Sequence, residues 1–205
     1  MLARAHSLLG VFPLGAFLCL HLYDNWPALR DRELWVDRSL DTLSRPWAIA
    51  LVLVPLGLHA FLGALRLLLA PADMREVLKG GRSLRVIQSL TGVVVLGFVV
   101  YHVGQLWALG EGPNTSTRAS YALLWRTLGR PLDLALYVVG ITAVCFHFGH
   151  GLSRMAVTFR LARTETSLRW VRIAAGACGF LMLGLFLQLL GHFALGAPLL
   201  GVFAD

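Results

Sequence analysis

The chain has 205 residues and a mean hydropathy of +0.70, and only 14% of its residues are charged. It is too apolar for a soluble domain and carries too few charges for a disordered one. The net charge of +7 suggests a nucleic-acid partner only until the charges are mapped along the chain, where they follow the pattern of membrane topology instead.

Apolar stretches close to twenty residues recur, each long enough to cross a bilayer as a helix. They are predicted at about 7–27, 47–70, 86–110, 131–153 and 171–196. They lack the in-out alternation of barrel strands, so the predicted class is an all-α membrane protein of five transmembrane helices. Connections of about twenty residues at most leave no room for a soluble domain, and residues 1–205 read as one integral-membrane domain. The first apolar run is longer than the core of a secretion signal, and no small-residue cleavage site follows it. Cys19, Cys145 and Cys178 fall inside apolar spans without a CxxC pair and read as small packing residues.

With the N-terminus inside, eleven Lys and Arg residues fall on the inner side: Arg4 and Arg66, the basic connection from Arg75 to Arg85, and the stretch from Arg154 to Arg172. The outer side carries seven, and eight of the eleven acidic residues. The positive-inside rule therefore predicts an inner N-terminus and, after five spans, an outer C-terminus.

Four spans carry a histidine, and the four form two matched pairs. Ser7-Leu8-Leu9-Gly10 leads to His21, and Ser89-Leu90-Thr91-Gly92 leads to His102 at nearly the same spacing. His59, Gly63 and Arg66 repeat the spacing of His147, Gly151 and Arg154. An ionisable group inside a membrane is costly and marks function by default. At about 1.5 Å per helical residue, His59 and His147 stand about 10 Å from the inner boundary marked by Arg66 and Arg154. His21 and His102 stand in the outer half. Two pairs at two depths predict two haems with bis-histidine ligation, one toward each face, making the bundle a dihaem one. Positions i, i+4 and i+7 share a helix face, so Gly63 and Gly151 could clear room for a flat macrocycle. Arg66 and Arg154 could then pair with propionates. The glycines serve equally well as close-packing residues.

His150 lies one turn from His147 and is the alternative ligand, although the shared spacing to arginine favours His147. His6 and His192 read as interfacial residues, with a propionate or quinone contact as the alternative for His6 and a quinone contact as the alternative for His192. A quinone could meet an outer set (Asp24, Asn25, Trp26, Tyr101, Gln105, Trp107) or an inner set (His6, Ser7, Gln88, Arg154). Aromatic residues near span ends also belong to an ordinary interfacial belt. No phosphate-binding loop, dinucleotide fingerprint, zinc signature or nucleophile elbow is present, so no dehydrogenase site is expected on this chain.

Arg4-Ala5-His6-Ser7-Leu8-Leu9-Gly10-Val11-Phe12-Pro13, followed by His21-Leu22 and Asn25, resembles the cytochrome b subunit of succinate:quinone oxidoreductases. The likeness is to the five-helix, dihaem type of succinate:menaquinone reductases and related fumarate reductases. It continues through Leu58-His59-Ala60, Gln88-Ser89-Leu90-Thr91-Gly92, Tyr101-His102-Val103 and Phe146-His147-Phe148, covering nearly the whole chain. The resemblance implies axial ligands at His21, His59, His102 and His147, pairing first with third and second with fourth helices. It implies two b haems and a bacterial cytoplasmic (inner) membrane. It also implies flavoprotein and iron–sulfur partner subunits on the inner face, and electron delivery from succinate to a quinone, with menaquinone favoured. Some dihaem fumarate reductases carry a glutamate two residues before the fourth-helix ligand. Cys145 stands there in this chain, so that proton route is expected to be absent. A cytochrome b anchor of a hydrogenase or formate dehydrogenase is the alternative redox reading. A helical transporter or assembly protein without haem is the alternative of a different class.

Overall fold

The structure, a computed structural model, describes residues 2–30, 35, 46–69, 83–108, 117–196 and 199. The basic connection from Arg75 to Arg82, and Arg32, Arg38 and Arg45, lie outside the described residues. Among the described residues every regular element is helical. In chain order these are α1 (Leu2–Val11), α2 (Pro13–Asn25), a 3-10 turn (Trp26–Leu29), α3 (Pro46–Leu69), α4 (Ser83–Ala108), α5 (Thr117–Leu128), α6 (Pro131–Thr158) and α7 (Glu165–Leu195).

The first predicted span begins earlier than its hydropathy suggested and is split in two. Pro13 has no N–H and cannot complete the helical ladder. α1 therefore ends at Val11, and Phe12 links it to α2, its amide bonding the Leu8 carbonyl at 3.0 Å. Pro131 opens α6, where a missing amide costs nothing. A reciprocal cap starts α7: the Thr164 hydroxyl accepts from the Ser167 amide at 3.1 Å, and the Thr164 amide donates to the Ser167 hydroxyl at 3.0 Å. α7 stops at Gly196, whose φ of 76° lies in the left-handed region that closes helices.

Among the described residues four segments are long and apolar enough to cross a membrane: Leu2–Leu29, Val86–Gln105, Pro131–Thr158 and Glu165–Leu195. α3 contributes a shorter apolar stretch, Ala50–Arg66. Large apolar side chains cover the outside of the bundle, with Phe61 62% and Phe180 78% exposed. A surface of that kind is unsuited to water and suited to lipid. α5 was not anticipated. It is short and amphipathic, and it packs on α7 beside the 3-10 turn.

α6 and α7 form the tightest pair, through small residues. A side chain at Gly149 would press on the Ala175 carbonyl at 2.9 Å, and one at Gly179 on the Cys145 carbonyl at 2.9 Å. Backbone against backbone leaves no flexible group to yield, which is how small residues join helices in membranes. α1 packs on α3 and α6, and α4 packs on α6. This puts α1/α2 opposite α4, and α3 opposite α6, across the diagonals of a four-helix arrangement, with α7 buttressing α6 from outside. A compact apolar core (Ala28, Leu29, Trp35, Tyr121, Tyr137, Phe193) closes the end where α2 finishes and α6 begins.

Candidate functional site: two histidine pairs across the bundle diagonals

The four matched histidines meet in two pairs. His21 on α2 faces His102 on α4, with ring centroids 6.1 Å apart and planes at 74°. His59 on α3 faces His147 on α6, also at 6.1 Å, with planes at 85°. Each pair joins helices on a diagonal, so each lies in the interior of the bundle.

In the His59–His147 pair, both Nδ1 atoms are held by main-chain carbonyls. His59 Nδ1–H donates to the His6 carbonyl at 2.9 Å, and His147 Nδ1–H donates to the Gln88 carbonyl at 3.2 Å. A carbonyl can only accept, so the proton sits on Nδ1 and the lone pair on Nε2. His6 and Gln88 occupy equivalent positions, each just before a serine of the repeated frame. The repeat continues in the packing. A side chain at Gly10 would run into His59 Cε1 at 2.6 Å, and one at Gly92 would meet His147 Cε1 at 3.1 Å. These glycines seat the imidazoles.

The expected role of Gly63 and Gly151 divides. His6 fills the space beside Gly63, its Nε2 3.1 Å from where a Cβ would stand. Gly151 has nothing within 4 Å of such an atom. His6, expected at the interface, stacks on His59 at 3.9 Å between centroids. Ser7 is half-buried on α1, and Arg66 and Arg154 are exposed on α3 and α6. Arg4 lies over the Phe159 ring at 5.9 Å, tying α1 to the end of α6. That end of the molecule also carries Arg160, Arg163, Arg169 and Arg172.

His150 does not face His59. Its Nδ1–H donates to the Gln88 side-chain oxygen at 2.8 Å, and its ring lies parallel to Phe146.

The His21–His102 pair is held by different means. His102 Nδ1 bonds the Tyr137 hydroxyl at 3.0 Å. His21 Nδ1 is buried and has no hydrogen-bond partner among the described residues. Phe98 covers Gly140 on α6 and stacks on His102, with centroids 5.8 Å apart, while Phe17 stacks on His21 at 5.3 Å. Beyond the pair, Tyr101 donates to Asp133, which also pairs with Arg130. Asn25 donates to the His21 carbonyl at 2.7 Å and accepts from Trp35 Nε1 at 3.2 Å. The Trp107 side chain lies outside the described residues. His192, also expected at the interface, is buried, and neither ring nitrogen has a hydrogen-bond partner among the described residues.

Among the described residues no group of three or more His, Cys, Asp or Glu gathers as a metal site. Two imidazoles per site would suit a metal that brings its own equatorial ligands. Sequence reasoning singled out neither Tyr137 nor the carbonyls of residues 6 and 88, although a carbonyl or hydroxyl partner is what a ligating imidazole calls for. No motif marks a carbonyl, although the equivalence of residues 6 and 88 was visible in the repeated frame.

Across 170 residues the chain is 32% identical to the succinate dehydrogenase cytochrome b558 subunit of Bacillus subtilis (strain 168), a match spanning 81% of this chain and 83% of that protein. No family model matches the chain, and no solved structure matches it. With four matched histidines in an apolar helical bundle and a likeness running over most of both proteins, the chain belongs to the family of succinate dehydrogenase cytochrome b subunits.

Proposed function

We propose that this chain is the membrane anchor of a succinate:quinone oxidoreductase, with His59 and His147 holding an inner b haem and His21 and His102 an outer one. The spacing of the pairs carries the reading. A metal–imidazole bond is about 2 Å and the ring centroid stands about 1 Å behind the nitrogen, so two axial imidazoles have centroids about 6 Å apart. Both pairs stand at 6.1 Å. The carbonyls at Nδ1 of His59 and His147 leave Nε2 for the metal, as ligating histidines require, and the Tyr137 hydroxyl does the same for His102 when it accepts. Bound there, two haems supply a one-electron relay between an iron–sulfur partner and a quinone.

The chain's own residues hold and orient the ligands and keep water away. Arg66 and Arg154, near the ends of α3 and α6, would meet propionates, with Ser7 on α1 as a further contact. Five spans are proposed, α3 being counted with the four longer segments because His59 must stand opposite His147. The arginines at the His59–His147 end make that end the inner one, with the N-terminus inside and the C-terminus outside. The flavoprotein and iron–sulfur subunits dock on that basic face, in a bacterial inner membrane. Quinone, with menaquinone favoured, reacts at the outer end near Tyr101, Asn25 and Asp24. Both ends of the Gln88 amide are already engaged within the inner set.

The purified complex is expected to show two b haems per chain in a reduced-minus-oxidised spectrum with haem quantitation, and none would overturn the proposal. Outward electron flow is assisted by an inside-negative potential, by about 2.3 kcal/mol per charge per 100 mV for a full crossing. Succinate oxidation in sealed membranes is therefore expected to slow when the potential is collapsed. An unchanged rate would rule out outward flow to a low-potential quinone.

A further inference from the structure

The Gln88 side chain lies between two histidines of α6. Its Nε2 donates to the His147 carbonyl at 3.1 Å. Its Oε1 accepts from His150 Nδ1–H at 2.8 Å. The two bonds fix each other's sense, because a carbonyl demands the amide's NH2 and leaves the amide oxygen for His150. The Gln88 main chain completes the clamp. Its carbonyl accepts from His147 Nδ1–H at 3.2 Å and from the Thr91 hydroxyl at 3.1 Å. The Thr91 oxygen also stands 3.3 Å from His147 Nδ1. One residue of α4 thus grips the backbone of His147, the ring of His147 and the ring of His150, one turn further along α6. The repeat shows that this is more than helix packing. His6, the equivalent residue, offers the same carbonyl to His59, but its side chain stacks on that ring. α3 has no second histidine one turn beyond His59 that would need restraint.

We propose that Gln88 is a positioning residue that selects His147 over His150 as the α6 ligand and sets the orientation of the His147 ring relative to His59. Its main chain aims the ring, and its side chain holds α6 in register and keeps His150 turned away. The proposal rests on the reading that the His59–His147 pair ligates a haem. The low-spin EPR signal of a bis-histidine haem reports the angle between the two imidazole planes, which stand at 85° here.

The test uses the whole complex in its own membrane. In Gln88→Leu, the EPR signal and midpoint potential of the inner haem are expected to shift, while the outer haem's stay in place and two haems are still counted. An unmoved inner signal, or equal movement of both, would overturn the assignment. Gln88→Glu keeps the side chain's length and its acceptor toward His150 but loses the donor toward the His147 carbonyl. It is expected to give the same inner-only shift if the leucine variant fails to assemble, and an unmoved signal counts against the proposal equally. With Gln88 intact, His147→Ala is expected to lose the inner haem, because His150 is held away. Retention of that haem would show that His150 can ligate freely and would refute the selection. Absence of the two low-spin haems from the unaltered complex would instead remove the functional proposal on which this one stands.

Discussion

The two histidine pairs share a ring separation but differ in what holds the rings. At the His59–His147 end, the acceptors are the carbonyls of residues 6 and 88, fixed parts of α1 and α4. At the His21–His102 end, one ring bonds the Tyr137 hydroxyl, and the other packs against Phe17 and Phe186. A carbonyl can only accept, so it fixes the tautomer. A hydroxyl both donates and accepts and fixes nothing by itself. No side-chain substitution can remove a carbonyl, so the Nδ1 acceptors of the inner pair are built into the helix backbone, and mutation reaches that geometry only through side chains such as Gln88 that hold the helices in register. The outer geometry depends on particular side chains and is open to tuning by mutation.

The largest effects should come from the ligands themselves. Replacing His59 or His147 with alanine is expected to remove one haem of two and leave the other, and replacing His21 or His102 should do the converse. Spectra that resolve the two haems check this, and loss of the opposite haem from any variant would overturn the pairing. Gly10→Val comes next. Its Cβ would meet His59 Cε1 at 2.6 Å, against a ring already flanked by His6. Overpacking of this kind costs about 1–3 kcal/mol. Haem quantitation should show lowered inner occupancy and full outer occupancy. Equal loss at both ends would mean that the glycine serves the bundle as a whole. Tyr137→Phe is the mildest, as it removes one hydrogen bond, about 1 kcal/mol, and little volume. Redox titration is expected to shift the outer haem's midpoint alone. A matching shift of the inner one would erase the contrast between the sites.

Hydropathy alone revealed most of the helical architecture, because a bilayer demands long apolar runs and little else resembles them. It misplaced ends where caps and prolines decide. Glu165 to Trp170 read as a connection, yet the Thr164 cap makes them the first turns of α7. α5 was invisible for the opposite reason, since its mixed face has no membrane-length run. The pairing of the histidines was legible because depth and direction follow from counting residues. His6 and His192 were misjudged because counting places a residue near an end without saying whether a neighbouring helix covers it. His6 meets α3, and His192 is closed in at the far end of α7.

The transverse line at the inner site runs from the His6 carbonyl to His59, across to His147, and on to the Gln88 carbonyl, drawing on α1, α3, α6 and α4 in turn. Synthesis proceeds from the N-terminus, and earlier segments can associate before later ones exist. The ribosome has made both members of the His21–His102 pair once residue 102 is added, whereas the inner line lacks a member until residue 147. In the proposed orientation, the site nearest the starting face of the membrane is thus the later of the two to become complete, and a nascent chain stalled between those positions would hold one finished pair and His59 without His147.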